Sequence, residues 1–134
     1  TDLYMKWKPI SNERGFPFVA WQTEFMKRDY EAGEDKDNLD DWGLYSQILW
    51  GFKRNWVWGF RYDSADGDGA STDYLRDRRH RISPNLTWYP TEFSKVRLQY
   101  NYDKAEHIND NDGDEHSVWL QFEFMLGSHP KHKF

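Results

Sequence analysis

The chain has 134 residues, of which 19% are aromatic and 31% charged, with a net charge of −5 and no cysteine. Lack of cysteine excludes disulfides and thiol chemistry, the mild charge argues against a nucleic-acid partner, and no run approaches the ~18 apolar residues of a transmembrane helix. A mean hydropathy of −1.05 beside eight tryptophans fits neither a disordered chain nor an ordinary soluble core, and asks for a fold with much apolar and much polar surface.

Period-two alternation recurs along the whole chain and predicts seven strands. The first two are short: Leu3, Met5 and Trp7 alternate with Tyr4, Lys6 and Lys8, then Trp21, Thr23 and Phe25 with Gln22, Glu24 and Met26. The third sets Trp42, Leu44, Ser46, Ile48, Trp50 and Phe52 against Gly43, Tyr45, Gln47, Leu49, Gly51 and Lys53. The fourth sets Trp56, Trp58, Phe60 and Tyr62 against Val57, Gly59, Arg61 and Asp63; the fifth, Ile82, Pro84, Leu86 and Trp88 against Arg81, Ser83, Asn85 and Thr87. Val96, Leu98, Tyr100 and Tyr102 form one face of the sixth, and Val118, Leu120, Phe122, Phe124 and Leu126 one face of the seventh. Pro84 in mid-strand removes a ladder hydrogen bond, which suggests a bulge there.

The connections are expected to alternate in length. Arg54-Asn55 and Pro90 to Ser94 read as tight turns and Ile10 to Pro17 as a moderate one, whereas Glu31 to Asp41, Ser64 to Arg78 and Lys104 to Glu115 read as long acidic loops. Short turns at one end and long loops at the other are the habit of outer-membrane barrels. The fold class expected is therefore all-β, an antiparallel up-and-down transmembrane β-barrel. Residues 1–134 would be a C-terminal segment of a single barrel domain. An odd strand count and an opening already inside a strand pattern, without an initiator methionine, imply further strands upstream.

On the apolar face, aromatics fall in two bands, as expected of rings that are apolar with one polar edge. Trp7, Phe52, Trp56 and Trp88 lie towards the short turns, and Trp42, Tyr62 and Tyr102 towards the loops. The competing reading is a soluble β-sandwich binding module whose core these aromatics fill. The opposite face would line a lumen with Lys6, Lys8, Arg28, Lys53, Arg61, Arg81, Lys95 and Arg97 against Glu24, Asp63, Asp103 and Glu123. Such a wall favours anions if the cations are free, and is electrically neutral in effect if they pair as a structural ladder. Both readings stand at this level.

Catalysis finds no support. His116 and Ser117 are adjacent in a strand and so point to opposite faces, and no phosphate loop or metalloprotease motif occurs. Asp66-Gly67-Asp68-Gly69 and Asp110-Asn111-Asp112-Gly113-Asp114 resemble pieces of a calcium loop without its full ligand spacing. His129 and His132 lack fixed partners for zinc. No metal site or cofactor is expected.

The stretch Glu92-Phe93-Ser94 with Arg97-Leu98-Gln99-Tyr100-Asn101, then Val118-Trp119-Leu120-Gln121-Phe122, ends on Leu126-Gly127-Ser128-His129-Pro130 with His132 and Phe134. It resembles the ends of proteobacterial porin-like outer-membrane proteins, some labelled zinc-regulated or TonB-dependent receptors, and covers about a third of this chain. The resemblance implies that Phe134 is a terminal aromatic read by the barrel-assembly machinery. Here Pro130 and Lys131-His132-Lys133 separate it from the alternating strand. The functional expectation is a porin-like outer-membrane channel for passive diffusion of small solutes. Outer-membrane lipid and lipopolysaccharide would be its surroundings, and homo-oligomerisation is compatible with it. The alternative is the barrel end of a TonB-dependent metal or siderophore receptor, which an upstream plug domain would reveal.

Overall fold

In the computed structural model, which describes residues 1–32, 37–68, 78–105 and 113–126, seven strands form one antiparallel sheet. They are β1 (Asp2–Trp7), β2 (Phe18–Ala32), β3 (Asp37–Lys53), β4 (Trp56–Asp68), β5 (Arg79–Thr91), β6 (Ser94–Ala105) and β7 (Gly113–Phe124). Their order in the sheet is their order in the chain, an up-and-down meander. Substantial packing occurs only between neighbouring strands, so no second layer of described residues covers either face. The sheet is open: β1 and β7 each present an unpaired edge.

The expected strands are all present, but β2 to β4 run well beyond the alternating aromatic stretches. The acidic segment expected as a loop from Glu31 to Asp41 is mostly ladder, with Arg28↔Asp41, Tyr30↔Leu39 and Ala32↔Asp37 in register. Opposite charges face each other at Arg28 and Asp41 and are ion-paired, which offsets the poor strand propensity of aspartate. β4 likewise continues to Asp68 and β6 to Ala105. The contrast of loop lengths is weaker than expected: β2 and β3 are separated only by residues 33–36, while the β1–β2 connection takes residues 8–17.

Two hairpins carry register shifts, and these change which face some residues occupy. In β3 the pairing passes from Trp50↔Trp58 to Lys53↔Trp56, so one extra residue is accommodated at Gly51-Phe52. In β5 it passes from Trp88↔Val96 to Thr91↔Ser94, and Pro90, which has no N–H to donate, sits within that shift. Asn55, with φ of 68°, closes the Arg54-Asn55 turn, a conformation asparagine tolerates better than most residues. Pro84 is not at a bulge. The register is the same before and after it, and only the ladder to β6 lapses, resuming at Asn85↔Gln99.

Through all six ladders the register aligns every apolar stripe on one face. One row across the sheet reads Trp7, Val19, Trp50, Trp58, Leu86, Leu98 and Leu120. Burial runs opposite to that of a soluble sheet. The apolar face is exposed, with Val118 at 70% and Phe124 at 71%, while Ala20, Val57, Ser83, Thr87 and Asn101 are buried on the polar face. Small residues hidden with nothing packed over them are screened by larger neighbours leaning across.

Candidate functional site

The polar face is the candidate site, and most of the charges named from the sequence are paired. One row runs Glu24, Tyr45, Asp63, Arg81 and Asp103 from β2 to β6. Arg61, one row away, places its guanidinium on Asp63 at 2.5 Å and 4.3 Å over the ring of Tyr45. Arg81 bonds Asp103 on the next strand, and Lys95 reaches Glu123 at 2.6 Å. Arg97 donates to the hydroxyl of Thr87 at 3.0 Å, and Thr87 is 1% exposed. Lys6 lies 4.9 Å over the Phe18 ring. Four of the eight cations singled out in the sequence thus form a structural ladder, Arg28, Arg61, Arg81 and Lys95 each sitting on a carboxylate.

Two expected wall residues lie elsewhere. Lys53 stands directly opposite Trp56, on the aromatic side, because the extra residue at Gly51-Phe52 reverses the alternation. Lys8 falls in the connection after β1 rather than on the wall.

Neutral groups that simple charge reading overlooks complete the polar network. Gln47 donates to Gln22 at 2.9 Å, and Gln22 donates to the Tyr45 hydroxyl at 2.8 Å. Gln99 donates to Asn101, which in turn donates to Ser117. The Asn85 amide lies against Gly59, where a Cβ would come within 2.6 Å of it. Among the described residues its Oδ1 is buried without a partner. The period-two register was the signal for these residues, since it puts them on the same face as the charges.

The aromatic residues named from the sequence gather on the other face. Trp56 and Trp88 stack at 5.9 Å, and Phe25 and Trp42 at 6.4 Å. Trp7, Tyr62 and Tyr102 share this face by register, while Phe52, in the bulge, lies 5.5 Å from Trp50. Several polar atoms here are satisfied from within the sheet. Trp21 donates to Ser46, Tyr62 and Tyr100 pair with His80 and His116, and Tyr102 donates to Asp114. His116 and Ser117 are indeed on opposite faces, the latter bonded to Asn101.

The apolar stripe does not follow the hydrogen-bonded rows. Its limit at the acidic end is Trp42 on β3, two rows lower at Tyr62 on β4 (opposite Ser46) and on the same row at Ile82 and Tyr102. On β7 it is one row lower again at Val118, opposite Tyr100. On β2 the last apolar residue of this face is Phe25, opposite Leu44 and one row below Trp42, so the edge of the band is uneven across the sheet.

Among the described residues no cluster of three or more metal-ligating side chains occurs. His129, His132, the terminal Phe134 and Asp110 to Asp112 lie outside the described residues.

No protein-family model matches the chain, and no solved structure matches it. It is similar to an uncharacterized protein of Aquifex aeolicus (strain VF5), 29% identical over 129 residues, a match that covers 89% of this chain and 28% of that protein. The chain thus spans less than a third of the curated relative it matches.

Proposed function

We propose that the chain is a stretch of wall from an outer-membrane β-barrel that admits small solutes passively. The observation that carries this reading is the inversion of burial. All apolar stripes share one exposed face, several of whose polar atoms are bonded inside the sheet, while the opposite face is polar and largely bonded to itself. Lipid rewards that arrangement, since backbone and side-chain polar groups there find no water.

In a meander of seven strands, β1 and β7 run in the same direction, so closure with antiparallel pairs throughout needs further strands between them. The length of the Aquifex relative outside the match leaves room for them. The aromatic belt would meet the lipid and lipopolysaccharide headgroups, and the barrel-assembly machinery would insert the chain. Since four of the inward cations sit on carboxylates, this stretch of wall is close to charge-compensated, and the pore selects weakly among small ions.

The test is single-channel conductance of the refolded full-length protein in a planar bilayer under a salt gradient. Discrete open steps with a reversal potential near zero are expected. An inserted protein without steps overturns the passive pore and points to a plugged receptor, while failure to insert overturns the membrane reading altogether.

A further inference from the structure

Arg28, Arg61, Arg81 and Arg97 of the polar face are bonded across or along the strands, but two arginines gathered at the short-turn end are not. Arg14, in the β1–β2 connection, and Arg54, in the β3–β4 turn, make no ion pair or side-chain hydrogen bond among the described residues. Both line the same two adjoining cavities, of about 810 and 480 Å³. The larger lies at the short-turn end of the polar face and is walled by Phe16, Phe18, Tyr89 and Phe93, with Glu92 as its single acid among the described residues.

The connection that presents Arg14 is built by its own hydrogen bonds. Asn12 accepts from the Gly15 N–H at 3.1 Å and donates to the Pro17 carbonyl at 2.7 Å. Glu13 and Phe16 exchange two backbone bonds of 2.8 and 3.0 Å. Arg14 itself holds φ of 50°, a left-handed conformation that costs an arginine free energy and persists where the surroundings impose it. Phe16 and Phe18 are placed over Gly51, where a Cβ would fall 2.3 Å from the Phe18 ring, so glycine at that position is what admits them.

From these features we infer a ligand site at this mouth for small amphipathic anions, specifically planar aromatic carboxylates. Guanidinium groups bind a carboxylate through paired, charge-assisted bonds, and the rings opposite supply apolar cover for the body of the ligand. A cavity of this size is in the range that holds a small organic molecule. The site goes beyond the pore reading and does not depend on it, because binding requires the two turns to be folded and not the channel to conduct.

The experiment is calorimetric titration of the full-length protein, in the medium that keeps it monodisperse, with 1-naphthoate, benzoate and neutral benzamide. Naphthoate should bind more tightly than benzoate, and benzamide on the order of tenfold more weakly than benzoate, as expected for loss of a charge-assisted bond. Arg14→Gln with Arg54→Gln should weaken naphthoate by about tenfold or more, with Arg14→Lys and Arg54→Lys recovering part of the loss. Should the double variant fail to fold, Arg54→Gln alone, in an exposed turn, carries the same comparison. Unchanged naphthoate binding in the glutamine variant, or benzamide binding as well as benzoate, overturns the site. A silent channel that still binds naphthoate through these arginines leaves the site standing and removes only the pore.

Discussion

The two faces of this sheet solve opposite problems with the same backbone. On the polar face most charged groups have a partner on the same or the next strand, and small residues such as Ala20 and Ser83 are nearly hidden. On the other face tryptophan, leucine and phenylalanine stand exposed in rows, and several of the polar atoms among them are bonded to neighbours. A soluble sheet would reverse this, with its aromatics buried and its charges outward. What the difference teaches is that hydrophobic content alone does not locate a core; the burial and pairing of the polar groups bear on which face meets which medium.

Substitutions at the centre of each face sharpen the contrast most. Leu98→Lys, in the middle of the apolar band, should destabilise the vesicle-inserted protein by ~2–4 kcal/mol in urea unfolding. Its neighbour Gln99→Lys, on the other face, should cost about 1 kcal/mol or less, the worth of its bond to Asn101; the reverse order would break the assignment of faces. Close packing on the polar face is probed by two of its glycines. Gly51→Ala, whose Cβ would meet the Phe18 ring at 2.3 Å, should lose ~1–3 kcal/mol, whereas Gly43→Ala, with 4.0 Å of clearance, should leave the unfolding midpoint nearly unchanged. Pro84→Val should add about 1 kcal/mol by restoring a ladder bond towards β6, read as a rise in midpoint. Smallest in stability, at ~0.2–1 kcal/mol for a half-exposed pair, is Arg81→Ser. In a bilayer it should move the reversal potential towards cations, and Arg81→Ser with Asp103→Ser should bring it back.

Much of this was legible in the sequence because a strand in a one-layer sheet has a strict period of two. Strand number, order of faces and the aromatic belt follow from that period alone. What escaped has local physical causes. Asp37 to Asp41 read as loop because aspartate disfavours strands, yet the Arg28–Asp41 pair lies across the ladder and needed the register to be known. Lys53 was assigned to the wrong face because a single extra residue at Gly51-Phe52 reverses every position after it. The wall was expected to be either basic or paired, and only the cross-strand offsets, such as Arg81↔Asp103, decide for pairing. The unpaired Arg14 and Arg54 could not be told from other turn arginines, since what sets them apart is a shared cavity between turns distant in sequence.

The central claim, that the aromatic face meets lipid and the polar face water, is tested most directly by spin labels placed singly at residues 96–102 of β6 in the full-length protein in vesicles. Collision rates with oxygen, which partitions into lipid, should peak at the even positions, and rates with a water-soluble nickel chelate at the odd ones, in strict alternation. Even positions shielded from both reagents, with odd positions open to the chelate, would mean that the aromatics fill a protein core, and would contradict the account.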